Sequence, residues 1–229
     1  NSRPTTNKNT FISSGYRLLK VDTLDNTPIS EDTVEKISEQ IKKNNSDILI
    51  FSDFRHGIFH KNSVEKFCNF IPKKTYKIAD SQVASRWGNI TEFKNFDLIT
   101  PNEKEARFSL ADQDSTVGGL VGLLKKKTKP KNIILKLSSR GIVCTSNRKG
   151  EKLVSIGTFA DNVLDPVGSG DALLAYSSLI LKITNSVATA GIIGSIAAAC
   201  ECEIDGNKPI TIDLVLQKIN EIEKNTQYN

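Results

Sequence analysis

The sequence predicts an α/β domain with a mostly parallel sheet, helices on both faces of the sheet and a small β-hairpin at its start. Two observations support this fold class. Short apolar runs typical of strands alternate with segments of helical periodicity, and no linker or internal repeat divides the chain. Strands that are separated by helices form parallel sheets with helices on their faces. We therefore expect one domain over residues 1–229, with the hairpin at 1–22 and the α/β core at 23–229.

The composition is that of a globular protein and excludes several other classes. Of the 229 residues, 38% are hydrophobic and 25% are charged, which excludes disorder and collagen-like structure. The apolar stretches are shorter than the ~18 to 20 residues of a membrane helix, and no signal peptide pattern is present, so we expect a cytoplasmic protein. Four cysteines and two histidines argue against a disulfide framework or a zinc site. The basic cluster at 125–131 is interpreted as a helix end and a turn, so no nucleic acid partner is predicted.

The first elements follow from turn and cap residues. Short strands at 9–12 and 16–21 are joined by Ser13-Ser14-Gly15, a pattern typical of a hairpin. Ser30 is the predicted N-cap of a helix that carries apolar residues at helical spacing. The uninterrupted apolar run at 47–53 predicts a buried parallel strand.

The same alternation continues to the end of the chain. Helices are predicted at 63–71, 103–110, 115–127, 169–181, 186–203 and 212–223. Strands are predicted at 76–79, 98–99 and 132–137, followed by a meander through 141–145 and 152–156. Ligands of such sheets bind outside the carboxyl ends of the strands. The polar residues that follow the predicted strands should therefore line one edge; they are Asp53, Asp80, Asn102 and Ser138.

The strongest local signal is the segment 165–171, which precedes an apolar helix. Gly168 and Gly170 flank Ser169, so backbone N–H groups can turn toward one point, and the start of the helix adds its positive dipole end. This arrangement predicts an anion hole. Asp171 would lie beside the bound anion and could accept a proton from an attacking hydroxyl group. The alternative is an ordinary loop with a first-turn helix charge.

The full string Asp165-Pro166-Val167-Gly168-Ser169-Gly170-Asp171 resembles the second signature of the ribokinase-like (pfkB) sugar kinase family, D-T-x-G-A-G-D. It departs from that signature by Pro for Thr and Ser for Ala. The resemblance implies a ribokinase-like fold and a phosphotransferase that acts on an alcohol group, with ATP and Mg²⁺ as cofactors. Asp171 would be the general base, and Gly168, Ser169 and Gly170 would form the anion hole.

Other segments resemble the same family in the right order. Asn102 and Glu105 match its N-x-x-E motif, which implies that they organise a hydrated Mg²⁺ and the phosphates; a helix cap explains them equally well. The resemblance also implies a set of nucleotide contacts. They are Lys136, Ser138 and Gly141 at the phosphates and ribose, Ser195 near the adenine ring, and Asp165 at the loop or a nearby cation site. Close helix packing is an alternative for the small residues around Ser195.

Within the family, the sequence is most similar to the kinase domains that phosphorylate heptose 7-phosphate in lipopolysaccharide biosynthesis. The residues 3–8 and 18–22 resemble the lid hairpin of those kinases, R-P-T-T-x-K and L-L-R-V-D. Residues 52–57 read S-D-F-R-H-G in place of S-D-Y-G-K-G, and residues 80–82 read D-S-Q in place of D-P-K. The resemblance implies sugar or sugar-phosphate contacts at Lys8, Asp53 and Arg86, the last replacing the missing lysine.

Several points stay open in the sequence. The acceptor could be another small hydroxyl substrate, such as a fructose phosphate or a nucleoside, and a non-catalytic nucleotide-binding protein is the alternative from another class. Asp171 favours an enzyme, because a binding protein needs no base. A homodimer through the lid strands is predicted, since an isolated two-stranded ribbon is marginal in water. The N-terminal part of the family fold has no counterpart here and no methionine occurs, so we expect a processed or incomplete chain.

Overall fold

The computed structural model describes residues 3–14, 16–82, 90–206 and 208–227. Its strands are β1 (Asn7–Ser13), β2 (Tyr16–Thr23), β3 (Ile48–Asp53), β4 (Tyr76–Ser81), β5 (Leu98–Ile99), β6 (Asn132–Lys136), β7 (Ile142–Ser146) and β8 (Val154–Ile156). Its helices are α1 (Glu31–Lys43), α2 (Lys61–Phe70), α3 (Glu103–Leu110), α4 (Val117–Thr128), α5 (Ser169–Thr184), α6 (Val187–Cys202) and α7 (Ile212–Gln227). The predicted elements are confirmed, with shifts of a few residues at their ends.

Six strands form one sheet in the order β3-β4-β5-β6-β7-β8. The pairs from β3 to β6 are parallel, and β7 and β8 add to them antiparallel. The predicted mostly parallel sheet with a terminal meander is therefore confirmed. The prediction of a buried strand at 47–53 is wrong in one respect, because β3 lies at the edge of the described sheet and Ile50 is 39% exposed.

Helices cover both faces of the sheet, as predicted. Alternate residues of β6 point to opposite sides: Ile133 and Leu135 pack in one hydrophobic cluster, and Ile134 packs in another. The first cluster includes residues of α1, α2, α3 and α4, and the second includes residues of α5 and α6. Helix α7 packs on α6 through Val215. Within the described ranges, no helix combines the length and the apolar character that crossing a membrane requires.

The hairpin of β1 and β2 is a separate antiparallel sheet with a register irregularity between Phe11 and Ile12. Its apolar side chains remain open to solvent: Phe11, Leu18 and Leu19 are more than half exposed. The segment before β1 is fixed to the core, because the Arg3 guanidinium donates to the carbonyl oxygens of Asp25 and Thr27. The ribbon is thus held at its base while its strands extend into solvent.

Candidate active site

The carboxyl ends of the parallel strands bring the predicted polar residues to one edge of the sheet. Asp53 and Ser81 are register partners at the ends of β3 and β4. Next along the edge, the backbone of Asn102 pairs with that of Lys136, whose N–H donates to the Pro101 carbonyl oxygen at 2.9 Å. The expected line of polar groups therefore exists, and helix α5 begins beside it.

The glycine loop ends in the start of α5 without a side-chain cap. Gly168 occupies the N-cap with a φ of 93°, a left-handed conformation that favours glycine. The N–H of Ser169 makes a long bond of 3.4 Å to the Pro166 carbonyl oxygen, whereas the N–H groups of Gly170 and Asp171 make no hydrogen bond to the described residues. Two first-turn donors are therefore left for a ligand, together with the positive end of the helix dipole.

An ion pair lies against this loop. The Nζ of Lys136 donates to both carboxylate oxygens of Asp80, at 3.0 and 3.1 Å. Both side chains are largely buried, with 15% of the lysine and 6% of the aspartate exposed. A Cβ built on Gly170 would lie 3.4 Å from the Lys136 Nζ, so the amine faces the start of α5. The sequence placed Asp80 at the ligand-binding edge of the sheet but assigned it no role in the site, and its pairing with Lys136 was not predicted.

The charges of this cluster shift the pKa values of its members. Burial raises the pKa of Asp171, and the nearby Asp80 raises it further, against the opposing charges of Lys136 and Lys8. Burial lowers the pKa of Lys136, but the carboxylates of Asp80, Glu105 and Asp171 outweigh this effect and hold it above its ordinary value. Asp171 is thus a stronger base than an ordinary aspartate, and Lys136 stays charged.

The lid hairpin reaches this cluster through Lys8. The Lys8 Nζ lies 5.5 Å from the centre of the Phe54 ring, within cation–π distance. The same amine is close enough to Asp171 to lower the pKa of that carboxyl group. A predicted substrate residue and the predicted base are therefore brought together.

Asn102 and Glu105 form a reciprocal cap at the start of α3. The Asn102 Oδ1 accepts from the Glu105 N–H at 2.8 Å, and the Glu105 Oε2 accepts from the Asn102 N–H at 2.6 Å. Burial raises the pKa of Glu105 to about 7, with Lys136 opposing and Asp80 adding to this shift. The helix cap uses only one Glu105 oxygen, and the other makes no hydrogen bond to the described residues. The capping role of the N-x-x-E motif is therefore compatible with its predicted role at Mg²⁺.

These oxygens fit a Mg²⁺ that is held through water molecules. A free carboxylate oxygen and an amide oxygen are the hard ligands that Mg²⁺ prefers, and the ion commonly keeps several waters. Within the described part of the chain, no group of three or more His, Cys, Asp or Glu side chains is arranged to hold a metal ion.

A cavity of about 1050 Å³ opens between α3 and the end of β6. Its lining includes the predicted nucleotide residues Asn102, Lys136 and Ser138 together with Arg140. The volume is sufficient for a nucleotide-sized ligand. Gly141 closes the adjacent turn with a φ of 80°. A Cβ at this position would lie only 2.1 Å from the Ile156 carbonyl oxygen, so the close approach of the backbone alone requires glycine here.

Ser195 does not line this cavity. It lies buried in α6, and its hydroxyl has no hydrogen-bond partner among the described residues. The neighbouring Gly194 lets α6 approach α5 closely, since a Cβ there would be 3.1 Å from the Leu173 carbonyl oxygen. Close helix packing therefore accounts for the small residues of this segment, and the adenine contact stays a prediction.

Asp53 is occupied by protein groups. Its carboxylate accepts from the Arg55 N–H at 2.8 Å, from the Arg55 guanidinium at 3.0 Å and from the Ser81 hydroxyl at 2.9 Å. The side chain is almost fully buried. Asp53 thus anchors the loop after β3, and its contact with the sugar stays a prediction. Arg86, the other predicted contact, lies outside the described residues.

Asp165 shapes the glycine loop, as the sequence suggested. Its Oδ1 accepts from the Val167 N–H at 3.0 Å. Nearby, Glu201 is 2% exposed, and its Oε1 has no hydrogen-bond partner among the residues that the structure describes. Burial raises the pKa of Glu201, and the charges of Asp165 and Asp171 add to this shift.

Comparison with known proteins assigns the chain to a family. A family model described as pfkB family carbohydrate kinase matches residues 64–208, which include the glycine loop, the N-x-x-E motif and Lys136. The chain belongs to the pfkB family of carbohydrate kinases. This membership confirms the predicted family and the predicted enzyme class, a kinase that acts on an alcohol group.

Curated relatives of this pfkB chain are named Bifunctional protein HldE. The protein from Wolinella succinogenes is 26% identical over 203 residues, which cover 86% of this chain and 41% of the relative. The protein from Aliarcobacter butzleri is 25% identical, with coverage of 98% and 47%. The chain therefore spans less than half of the length of these relatives.

Solved structures confirm the ribokinase-like fold. Ribokinase from Giardia lamblia superposes with a TM-score of 0.74 at 16% identity, covering 96% of this chain and 73% of that one. Phosphofructokinase-2 from Escherichia coli superposes with a TM-score of 0.72 at 16% identity, covering 90% and 67%. At such identities the likeness concerns the fold alone.

Proposed function

We propose that this chain is an ATP-dependent sugar kinase that transfers the γ-phosphate to a hydroxyl group of a heptose 7-phosphate or a closely related sugar. The observation that carries this proposal is the start of α5, where the N–H groups of Gly170 and Asp171 make no hydrogen bond to the described residues and adjoin a carboxylate of raised pKa. An anion site next to a base is the minimum that phosphoryl transfer requires.

Each group has one task in the proposed reaction. The glycine loop at 168–170 binds the transferred phosphoryl group through the N–H groups of Gly170 and Asp171, and the Asp171 carboxylate takes the proton of the attacking hydroxyl. Asn102 and Glu105 hold a hydrated Mg²⁺, which neutralises phosphate charge when it is bound. The nucleotide occupies the cavity between α3 and β6, with Lys136, Ser138 and Arg140 near its phosphates and ribose.

The heptose phosphate assignment is supported by the lid hairpin and by the relatives. Lys8 brings a positive charge from β1 to the Asp171 side of the site, where a phosphorylated acceptor would benefit from it. The curated relatives that match most of this chain carry the name HldE. A fructose phosphate or a nucleoside remains the alternative acceptor.

The test is an ADP-release assay with Mg²⁺-ATP and a panel of acceptors: heptose 7-phosphate, fructose 6-phosphate, ribose and adenosine. We expect release with heptose 7-phosphate. The Asp171→Asn variant should lose roughly 100- to 10,000-fold in turnover, the usual contribution of a general base, while it still binds ATP. Asp213→Asn is the matched control, because Asp213 is an exposed carboxylate in the first turn of α7.

Three results would count against the proposal. Release with another acceptor only would reject the heptose phosphate, and unchanged turnover in Asp171→Asn would reject the base. ATP binding without release on any acceptor would favour the non-catalytic nucleotide-binding alternative.

A further inference from the structure

The amine of Lys136 occupies a place that structural needs alone do not explain. It lies between Asp80 and the start of α5, with its Nζ 3.0 Å from the Asp80 carboxylate and 3.4 Å from where a Gly170 Cβ would be. A buried ion pair is weak evidence for stability, since apolar residues of similar volume are often as stabilising. A charged amine at this position therefore points to a use for its charge.

The amine also has a donor to spare. An ammonium group has three N–H donors, and within the described ranges the two hydrogen bonds of Lys136 both go to Asp80. On its other side the amine faces Gly170, where a Cβ would lie 3.4 Å from Nζ, and the Gly170 N–H makes no hydrogen bond to the described residues. An anion bound at the start of α5 would therefore lie close to the Lys136 ammonium group and could accept its remaining donor.

Lysines at the two ends of β6 form ion pairs in different environments, one at the surface and one in the site. Lys131 precedes the strand, is 73% exposed and pairs with Asp97 at 2.7 Å. Lys136 ends the same strand, is 15% exposed and lies in a cluster with three carboxylates, those of Asp80, Glu105 and Asp171. These three carboxylates would repel a negatively charged phosphoryl group if the positive charge of Lys136 did not offset part of their charge.

We propose that Lys136 is a catalytic residue that contacts the transferred γ-phosphoryl group beside Gly170, and that Asp80 is the positioning residue that fixes its amine there. This inference rests on the proposed kinase function and deepens it, because it assigns Lys136 to the phosphoryl group that moves. The family resemblance suggested only a general contact with nucleotide phosphates and ribose.

The reaction step balances with these groups. The acceptor hydroxyl oxygen forms a bond to the γ-phosphorus, the bond between that phosphorus and the β–γ bridging oxygen of ATP breaks, and ADP leaves with the electron pair. The hydroxyl proton passes to Asp171. Lys136 stays protonated throughout and donates to an oxygen of the phosphoryl group, where charge must be stabilised in the transition state.

The test compares a ligand that carries the γ-phosphoryl group with one that lacks it. Calorimetric affinities for Mg²⁺-AMP-PNP and Mg²⁺-ADP are measured for the wild type, Lys136→Met, Lys136→Arg and the control Lys131→Met. Lys136→Met should weaken AMP-PNP roughly 10-fold or more while ADP binding changes little, as expected for loss of one bond between charged groups. Lys136→Arg should recover part of this loss, and Lys131→Met should match the wild type.

Turnover gives the second readout. Lys136→Met should lower kcat roughly 100-fold, the usual loss for one transition-state donor, with a much smaller change in the KM for ATP. Asp80→Asn should lower kcat less and shift the acidic limb of the pH–rate profile to lower pH, because Asp80 raises the pKa of Asp171. That shift reports the charge of Asp80 on Asp171; the positioning role additionally requires that Asp80→Asn narrows the affinity difference between AMP-PNP and ADP, which a purely structural role would leave unchanged.

The outcomes separate this inference from the proposed function. Suppose that the wild type is active and that Lys136→Met keeps both the wild-type kcat and the wild-type ratio of AMP-PNP to ADP affinity. This result would overturn the role of Lys136 and leave the proposed kinase function standing. A wild type that binds both nucleotides without turnover would reject the kinase function, and the affinity ratio would still decide the contact of Lys136. If Lys136→Met does not fold, the double variant Lys136→Met, Asp80→Asn removes both buried charges and is measured instead.

Discussion

The guanidinium of Arg55 donates to the Asp53 carboxylate at 3.0 Å from a backbone whose φ is 63°. A left-handed conformation costs a residue other than glycine about 1–2 kcal/mol. Related kinases that the sequence resembles have glycine at this position of the S-D-Y-G-K-G segment. The ion pair with a buried carboxylate offsets the cost of the backbone and fixes the turn that follows β3.

Two substitutions at position 55 separate the backbone cost from the ion pair. Arg55→Gly and Arg55→Ala both remove the bond to Asp53, but only the alanine variant keeps a Cβ in the left-handed region. We expect both variants to be less stable than the wild type, and Arg55→Gly to exceed Arg55→Ala by about 1 kcal/mol in free energy of unfolding. Urea unfolding measures this difference, and equal stability of the two variants would contradict the left-handed turn.

The pH dependence of turnover should report the environment of Asp171. A base acts in its deprotonated form, so kcat should fall as the pH drops through the raised pKa of Asp171, above the ordinary range of an aspartate. Lys8 lowers this pKa, and Lys8→Met should therefore move the acidic limb to higher pH. Lys20→Met is the control, since Lys20 is another exposed lysine of the same hairpin. A limb that stays in place in Lys8→Met would contradict the approach of the hairpin to Asp171.

Because the pKa of Glu105 is raised in the folded state, deprotonation of this residue should lower the stability of the protein as the pH rises. Its pKa is raised from 4.5 to about 7 in the folded state, so the folded protein binds more protons than the unfolded chain between these values. The free energy of unfolding should therefore fall over this window, and Glu105→Gln should remove this part of the slope. Unfolding in urea at several pH values from 4.5 to 7.5 measures the slope.

The matched control for this measurement is Glu103→Gln in the same helical turn. The hydrogen bond from Arg107 is the main cause that lowers the pKa of Glu103. The stabilising contribution of the Glu103 carboxylate is present above its unfolded pKa and is lost as the pH falls. Its contribution to the free energy of unfolding therefore changes with pH in the direction opposite to that of Glu105. Identical effects of both substitutions would contradict the burial of Glu105.

The exposed hairpin should make this chain a dimer. Phe11 and Leu19 are paired across the two strands, and they are 54% and 56% exposed. A second copy of the ribbon would cover them, since two strands alone are marginal in water. Leu19→Lys should convert a dimer into a monomer in sedimentation equilibrium, whereas Ile183→Lys, at an exposed apolar residue of α5, should not. A monomeric wild type at micromolar concentration would reject this prediction.

The order of strands and helices could be predicted from the sequence because it depends on local patterns. The run before Asp53 and the capped start of α1 at Ser30 specify their elements through hydrophobicity and cap chemistry within a few residues. The glycine loop before α5 was predicted for the same reason, since its string of seven residues carries the family signature and its backbone requirement together.

The partners of the buried charges could not be predicted in this way. Asp80 and Lys136 are 56 positions apart in the sequence, and their pairing depends on the lateral order of β4, β5 and β6. The same holds for the bond from the Ser81 hydroxyl to the Asp53 carboxylate, which joins residues 28 positions apart at the ends of β3 and β4. Strand order sets such pairs, and no local pattern encodes it.

The sequence by itself thus determined the α/β class, the pfkB signature and the residue that we propose as the base, because each rests on residues that are neighbours along the chain. Only the tertiary structure decided which charges face Asp171, that β3 lies at the sheet edge and that Ser195 is packed away from the cavity. These features depend on distances between distant segments, and a folded core is what fixes those distances.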